Sequence, residues 1–434
     1  MPSTLPGPRF LGWGSRSVLA VASLLVLVSP SACSRSSDDP SSERTLSKPS
    51  AAPATPPPAP RPTTSVRPDT PTEPIAPALL AAVPEKRPIV LVAGGDVNFG
   101  RECGQAILND PKYDPFESIS PLWKAADFRF VNLESQLSEQ GGETQSPRNR
   151  LIFTGPPGGA GVLANARVDI VSTANNHAWD YGKGAFFETL DHLKAAGVKN
   201  TGTGRNLDEA YAPVVVEAAG IKIALFSVTH IWNQGPIEEH AGRKYVAWAK
   251  WDALKYRVAR IRPEVDFVLL SYHGGAEYID VPMSMTRRFV KAAMKAGVDA
   301  VIGHHPHVPQ GVGWFSDRPV FYSLGNFVFA GHAEQTWTNY GMLARLTLKP
   351  DRTLEAQACP YVIEGHVPKP LEPSAAANQR YRQHLRTTSA NVGGSEVSEP
   401  GPDGCYSLAP PTPPALRPPG PLPAGPESPP LVVR

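Results

Sequence analysis

Short apolar runs alternate with stretches of helical period through the middle of this chain. Residues 88–94, 128–133 and 168–173 read as buried strands. Residues 182–196 carry apolar side chains at helical spacing, with Gly197 as a C-terminal stop. Residues 213–216 and 221–228 flank Glu217-Ala-Ala-Gly220, the pattern of a hairpin with a short Gly-containing loop. A helix follows over 251–261, then a strand over 265–271, a helix over 284–296 and a strand over 298–302. Runs at 319–323 and 341–348 complete the sheet. Strands alternating with helices predict an α/β layered fold, and no fixed-period repeat interrupts it.

The polar positions that close these runs carry the candidate chemistry. Strand after strand ends in a residue able to bind a metal: Asp96, Glu134, Asn175-Asn176-His177, His273, and His304-His305-Pro306-His307. Sites of α/β folds form in the crevice at the carboxyl ends of strands. Taken singly, Gly94-Gly95-Asp96 is a turn, Asn175-Asn176 a helix cap, and His273 a loop histidine. The cluster at 304–307 has few structural uses, and neutral imidazole is a frequent ligand of transition metals. The i, i+2 spacing of His305 and His307 would aim two rings at one point from an extended segment. Two carboxylates, an amide oxygen and several imidazoles form the mixed O/N set accepted by a divalent metal such as Mn, Zn or Fe.

Competing chemistries find less support. Asp191-His192 falls in a helical pattern and Glu238-Glu239-His240 in a charged loop, so both read as surface features. No Gly-x-Ser-x-Gly occurs, and no Cys neighbours a His. Thr201-Gly-Thr-Gly204 lacks the spacing and the Lys of a phosphate-cradling loop.

Composition changes the picture at the two ends. Most of the 49 prolines lie in the first eighty-odd and the last forty residues, among Ser, Ala and Thr. Such stretches bury too little apolar surface to offset chain ordering, so Pro-rich disordered tails are expected at both ends. Arg9 and Arg16 precede an apolar run over 18–28 and then Ser31-Ala32-Cys33. That run is too short for a mature membrane span and reads as an export signal over 1–33. The protein is then exported, either as a lipoprotein anchored to the membrane through Cys33 or cut by ordinary cleavage to act in the extracytoplasmic cell envelope. Residues 34–85 form a tether, 86–375 the folded domain, and 376–434 a largely disordered tail. Cys359 and Cys405 lie in one segment and could pair, although Cys103 allows two other pairings. The net charge of +2 points to no partner, and no basic block with interleaved aromatics marks nucleic-acid binding.

Several motifs together resemble one family. Gly95-Asp96, Asn132-Leu-Glu134, Ala174-Asn-Asn-His177 with Asp180-Tyr-Gly182, and Thr201-Gly-Thr-Gly204 stand in the order of the CapA family. His273-Gly with Glu277-Tyr278, Gly303-His-His-Pro-His307 and Ser323-Leu-Gly-Asn-Phe327 continue it. This is the poly-γ-glutamate capsule synthesis family, related to calcineurin-like metallophosphatases. The resemblance implies a four-layer metallophosphatase-like sandwich, two packed mixed sheets flanked by helices. It also implies one or two metal ions held by Asp96, Glu134, Asn176, His273, His305 and His307. His177 would protonate or orient the reacting group and Asn326 would orient substrate, unless Ser323–Phe327 is only a tight turn. Two departures stand out: Asn98 occupies the place of a histidine, and the bridging acid is Glu134 rather than Asp. They leave open one metal or two, and His304 as ligand or supporting donor. The implied activity is metal-dependent hydrolysis of an amide or phosphoester on capsule polymer or another envelope substrate. The alternative is a non-catalytic metal-binding subunit for polymer export or anchoring, working with the capsule synthesis machinery.

Overall fold

The computed structural model describes residues 86–330 and 337–412. The export segment with Cys33, the tether and the last part of the tail lie outside the described residues. No described helix is long and apolar enough to cross a membrane.

Two sheets form the framework. The larger, 10-stranded among the described residues, runs Glu396–Pro400, Tyr406–Ala409, Leu354–Glu364, Tyr340–Leu348, Ile89–Val97, Phe128–Leu133, Ile170–Ser172, Lys199–Thr201. Asn326–Val328 pairs with Ile89–Val97, and Val367–Pro370 with Leu354–Glu364. The second, 6-stranded, runs Val312–Phe315, Arg318–Phe321, Ala300–His304, Phe267–His273, Ile221–Thr229, Val214–Ala218. The smaller has a parallel centre and antiparallel flanks, while the larger joins a parallel half, from Ile89–Val97 to Lys199–Thr201, to an antiparallel one, so both are mixed.

Strand period two sorts the side chains into layers. Ile89, Leu91 and Ala93 join Phe267, Leu269, Ala300 and Ile302 in one buried cluster between the sheets. The alternate residues Val268 and Leu270 face outward onto Leu254, Val258, Phe289 and Ala293 of helices Trp251–Ile261 and Ser284–Lys295. Val92, Val131 and Val171 of the larger sheet meet Leu163 and Leu193, on helices Gly159–Asn165 and Gly182–Ala195. Helix, sheet, sheet, helix is the four-layer sandwich that the family resemblance implies.

Structure continues beyond the boundary expected at 375. Helix Ala376–Ala390 puts Tyr381 and Leu385 into the inter-sheet core. The sheet is not completed at 348, since Leu354–Glu364 and three further strands extend it. No apolar period marks this helix in the sequence, because its buried surface rests on few apolar residues. Pro400 read as tail, yet it ends the edge strand, where a missing N–H costs no ladder bond. Cys359 and Cys405 form a disulfide that ties this extension to the sheet, and Cys103 is free and buried.

Candidate metal centre

The same alternation that builds the core aims the polar residues at the strand ends. Phe267, Leu269 and Ser271 lead to His273, and Ala300 and Ile302 to His304, at every second position. On the facing sheet, Phe128 and Phe130 lead to Asn132 and then Glu134. Asp96 falls out of step with Ile89, Leu91 and Ala93. A register shift between Ala93 and Asp96 turns it inward. Gly95 permits the close approach there, because a Cβ would lie 2.0 Å from the carbonyl oxygen of Gly325. The two glycine motifs press against each other for that reason.

The expected ligands converge. Asp96, Glu134 and His273 bring donor atoms within 4.8 Å of one another, and so do Glu134, His305 and His307. Glu134 belongs to both groups. Its Oε1 lies 3.6 Å from His273 Nε2 and 3.8 Å from His307 Nε2. His273 Nε2 lies 2.7 Å from Asn176 Oδ1, and Asn132 donates to Asp96 Oδ1 at 2.8 Å. His305 donates its backbone N–H to Asp96 Oδ2 at 3.1 Å, and His304 Nδ1 lies 3.2 Å from Asp96 Oδ1. The segment carrying His305 and His307 is not extended as expected: φ is 96° at His305 and 58° at His307. That left-handed backbone still leaves their ring centroids 5.7 Å apart.

His177 and Asn326 lie beside these groups. His177 Nδ1 lies 2.8 Å from Asp180 Oδ2, and its ring stacks on Phe153 at 4.1 Å. Asn326 is turned to His307, its Oδ1 2.8 Å from Nδ1, while its amide donates to Thr338. These contacts orient a histidine of the centre. Asn98 spends its Oδ1 on the Gly100 N–H at 2.7 Å. Asp191 is exposed and paired with Arg205, and His240 caps a short turn, so neither competing neighbourhood joins the centre. Sequence reading gave no role to Asn132, Asp180 or Arg101. Asn132 and Asp180 stood within quoted motifs, and their hydrogen bonds to site residues require the fold to be seen.

Charge inside the centre is uneven. Burial pushes the Asp96 carboxyl upward, but His304, His307 and His273 prevail and hold it below the usual carboxylate range. Glu134 is driven well above that range by burial and then by the neighbouring Asp96. Burial also lowers His273 and His307, and takes His305 down to about 3, with neighbouring histidines adding to the effect. The imidazoles are thus neutral near pH 7, the form that binds metal.

A divalent cation fits this donor set. Both Glu134 carboxylate oxygens and His305 Nδ1 are buried without a hydrogen-bond partner among the described residues, a costly state unless something polar meets them. Glu134→Gln is therefore expected to stabilise the metal-free chain by about 1 to 2 kcal/mol near pH 8. The raised folded-state value means the folded chain binds the extra proton between the ordinary glutamate value and its own. Stability from this group is present at low pH and lost as pH rises through that interval, so the gain should be larger at pH 8 than at pH 5. Thermal melts in chelator decide it, and a lower melting temperature for the variant at pH 8 would sink this reading of Glu134.

Comparison with known proteins places the chain. It is 27% identical over 314 residues to the capsule biosynthesis protein CapA of Bacillus anthracis, covering 70% of this chain and 75% of that protein. The PGA biosynthesis protein CapA of Bacillus subtilis (strain 168) is 27% identical over 284 residues, covering 64% and 72%. Among solved structures, a putative 5'-nucleotidase from Staphylococcus aureus in complex with alpha-ketoglutarate aligns at 13% identity with a TM-score of 0.39. That alignment covers 69% of this chain but only 58% of the nucleotidase. Residues 90–331, which hold every candidate ligand, match the family described as Bacterial capsule synthesis protein PGA_cap. The chain belongs to that capsule synthesis family.

Proposed function

We propose that this protein serves capsule biosynthesis at the cell envelope through a metal-dependent hydrolytic centre acting on an amide or phosphoester. Membership of the capsule synthesis family supports the capsule-associated role. The hydrolytic reading rests above all on Glu134, a buried carboxylate with no hydrogen-bond partner among the described residues, ringed by His273, His305 and His307.

Asp96, Glu134, Asn176, His273, His305 and His307 would hold the ion, of Mn, Zn or Fe type. Bound there, it would supply Lewis acidity and an acidified water. With Asn98 Oδ1 committed to a backbone N–H, one of the two possible ion positions is the poorer in donors. Asp180 fixes the ring of His177 through Nδ1, leaving Nε2 as the atom that holds or moves a proton. His177 is close enough to His305 and His307 for its charge to bear on both. Asn326 and Asp96 orient His307.

His177→Ala is expected to lower kcat by about 10²- to 10⁴-fold, the usual range for a general acid or base, with bound metal unchanged. Asp180→Asn should fall in the same direction by less. Metal content and kcat measured together check this, and loss of metal from His177→Ala would reassign the residue to the ligand set. The wider reading is tested on the full-length chain, assayed for metal and for cleavage of an aryl phosphoester and a γ-glutamyl amide. Metal without turnover on either would favour a non-catalytic subunit for polymer export or anchoring. Absence of transition metal from freshly isolated protein would sink the centre itself.

A further inference from the structure

Arg101 lies over two aromatic rings, and each ring packs against a histidine of the centre. Its guanidinium carbon is 4.7 Å from the Phe153 centroid and 5.9 Å from that of Phe329. Phe153 stacks on His177, and Phe329 lies 5.1 Å from His307. The side chain is half-buried, and its Nε is buried with no hydrogen-bond partner among the described residues. The other two nitrogens donate to backbone, Nη1 to Ala330 at 3.1 Å and Nη2 to Arg150 at 3.3 Å. No described carboxylate forms an ion pair with it. Its chain neighbour Glu102, exposed, and the buried Glu134 are near enough to bear on its charge.

The backbone adds an independent sign. Arg101 opens helix Arg101–Asn109 at φ 55°, in the left-handed region. Tyr278, His305 and His307 share that region, as do Arg167, Ala219, Ser316 and Arg352 in turns or bends. Such conformations cost energy in bulky L-residues, and they gather where the surroundings hold a side chain for a task. A guanidinium held beside aromatic rings presents coplanar donors, suited to a planar or tetrahedral oxyanion. Nothing anionic among the described residues uses that capacity.

We propose that Arg101 anchors an oxyanion subsite beside the metal centre. It takes a carboxylate or phosphate of the bound molecule, with Phe153 and Phe329 holding its guanidinium in place. The assignment rests on the proposed reading of the centre and names the class of group its substrate carries next to the scissile bond. A neutral polysaccharide is excluded by it.

The test titrates inorganic phosphate and, separately, a γ-linked glutamyl dipeptide into the full-length chain, before and after metal addition, by calorimetry. Wild type, Arg101→Lys and Arg101→Gln are compared, with metal content and thermal melts measured on each. Arg101→Gln is expected to weaken the preferred anion by about tenfold or more, the scale of one charge-assisted contact. Arg101→Lys should recover part of that affinity, and both variants should retain wild-type metal. The anion that depends on Arg101 tells a phosphate subsite from a carboxylate one. Equal anion affinity in Arg101→Gln overturns the proposal, as does wild-type chain that binds neither anion. Loss of metal from both variants overturns it too, because Arg101 would then shape the centre rather than hold a ligand. A chain that takes up no metal but loses anion affinity in Arg101→Gln keeps the subsite and sinks the metal-centre reading. Metal uptake with Arg101-independent anion binding does the reverse.

Discussion

Asp96→Ala is expected to leave the protein folded but to reduce its affinity for divalent metal by roughly a hundredfold or more. Loss of a residue that merely supports a ligand already costs about 10- to 100-fold. Asp96 is a candidate ligand and also the hub of the centre. Its carboxylate receives the Asn132 amide at 2.8 Å and the His305 backbone N–H at 3.1 Å. It also faces His304 at 3.2 Å and His307 at 3.6 Å. Alanine leaves these donors buried with nothing to meet, so about 2 to 4 kcal/mol of metal-free stability should go as well. Asp96→Asn separates the effects, since it keeps most of the hydrogen bonding and removes the charge. It should recover much of the stability and little of the metal affinity. Calorimetric titration with Mn and Zn, beside metal analysis of the isolated protein, reads the outcome. Wild-type affinity in Asp96→Ala would remove this residue from the ligand set and break the group it forms with Glu134 and His273.

Removing the disulfide should have the largest effect on stability. Cys359 lies in the long strand Leu354–Glu364, and Cys405 immediately precedes the strand Tyr406–Ala409 beside it, 46 residues on. A loop of that length is expected to contribute about 4 kcal/mol by restricting the unfolded chain. The loop holds helix Ala376–Ala390, whose Tyr381 and Leu385 close one part of the inter-sheet core. Hydrogen bonds hold the same segment: Tyr406 donates to Asn378, Asn378 to the Leu371 carbonyl, and the Val312 N–H to Ser389, while Arg345 pairs with Asp403. Cys359→Ala with Cys405→Ala should therefore lower the melting temperature and speed amide exchange in 376–409 ahead of the metal-bearing strands. Uniform loss of protection across the domain would show instead that the extension is not separately held. The metal centre, on other strands of the framework, should keep its affinity at temperatures where the variant is folded.

Much of the fold was legible in the sequence because its central strands are continuous apolar runs, the mark of strands covered on both faces. The ligand list was legible because chemistry at the ends of such strands needs residue types that packing does not. The C-terminal extension was hidden by the opposite property. Its helix buries few apolar side chains and its edge strand carries proline, so local composition matched a disordered tail. Only contact with strands far away in the chain orders it.

The roles inside the centre divide along the same line. The sequence by itself determined which residue types stand at each strand end, and period two aims His273, His304 and Glu134 toward the same gap. It could not determine that Asp96 is turned inward, because a register shift against the neighbouring strand does that. Nor could it show that left-handed backbone, not an extended segment, presents His305 and His307. Asn326 turning to His307, and Arg101 lying over the rings that flank His177 and His307, are also tertiary outcomes. The physical reason is that periodicity is a property of neighbours in the chain. Bulges, close glycine approaches and ring stacking are set by partners up to about 230 residues away, as in the Arg101 contact with Ala330, where the separation is 229.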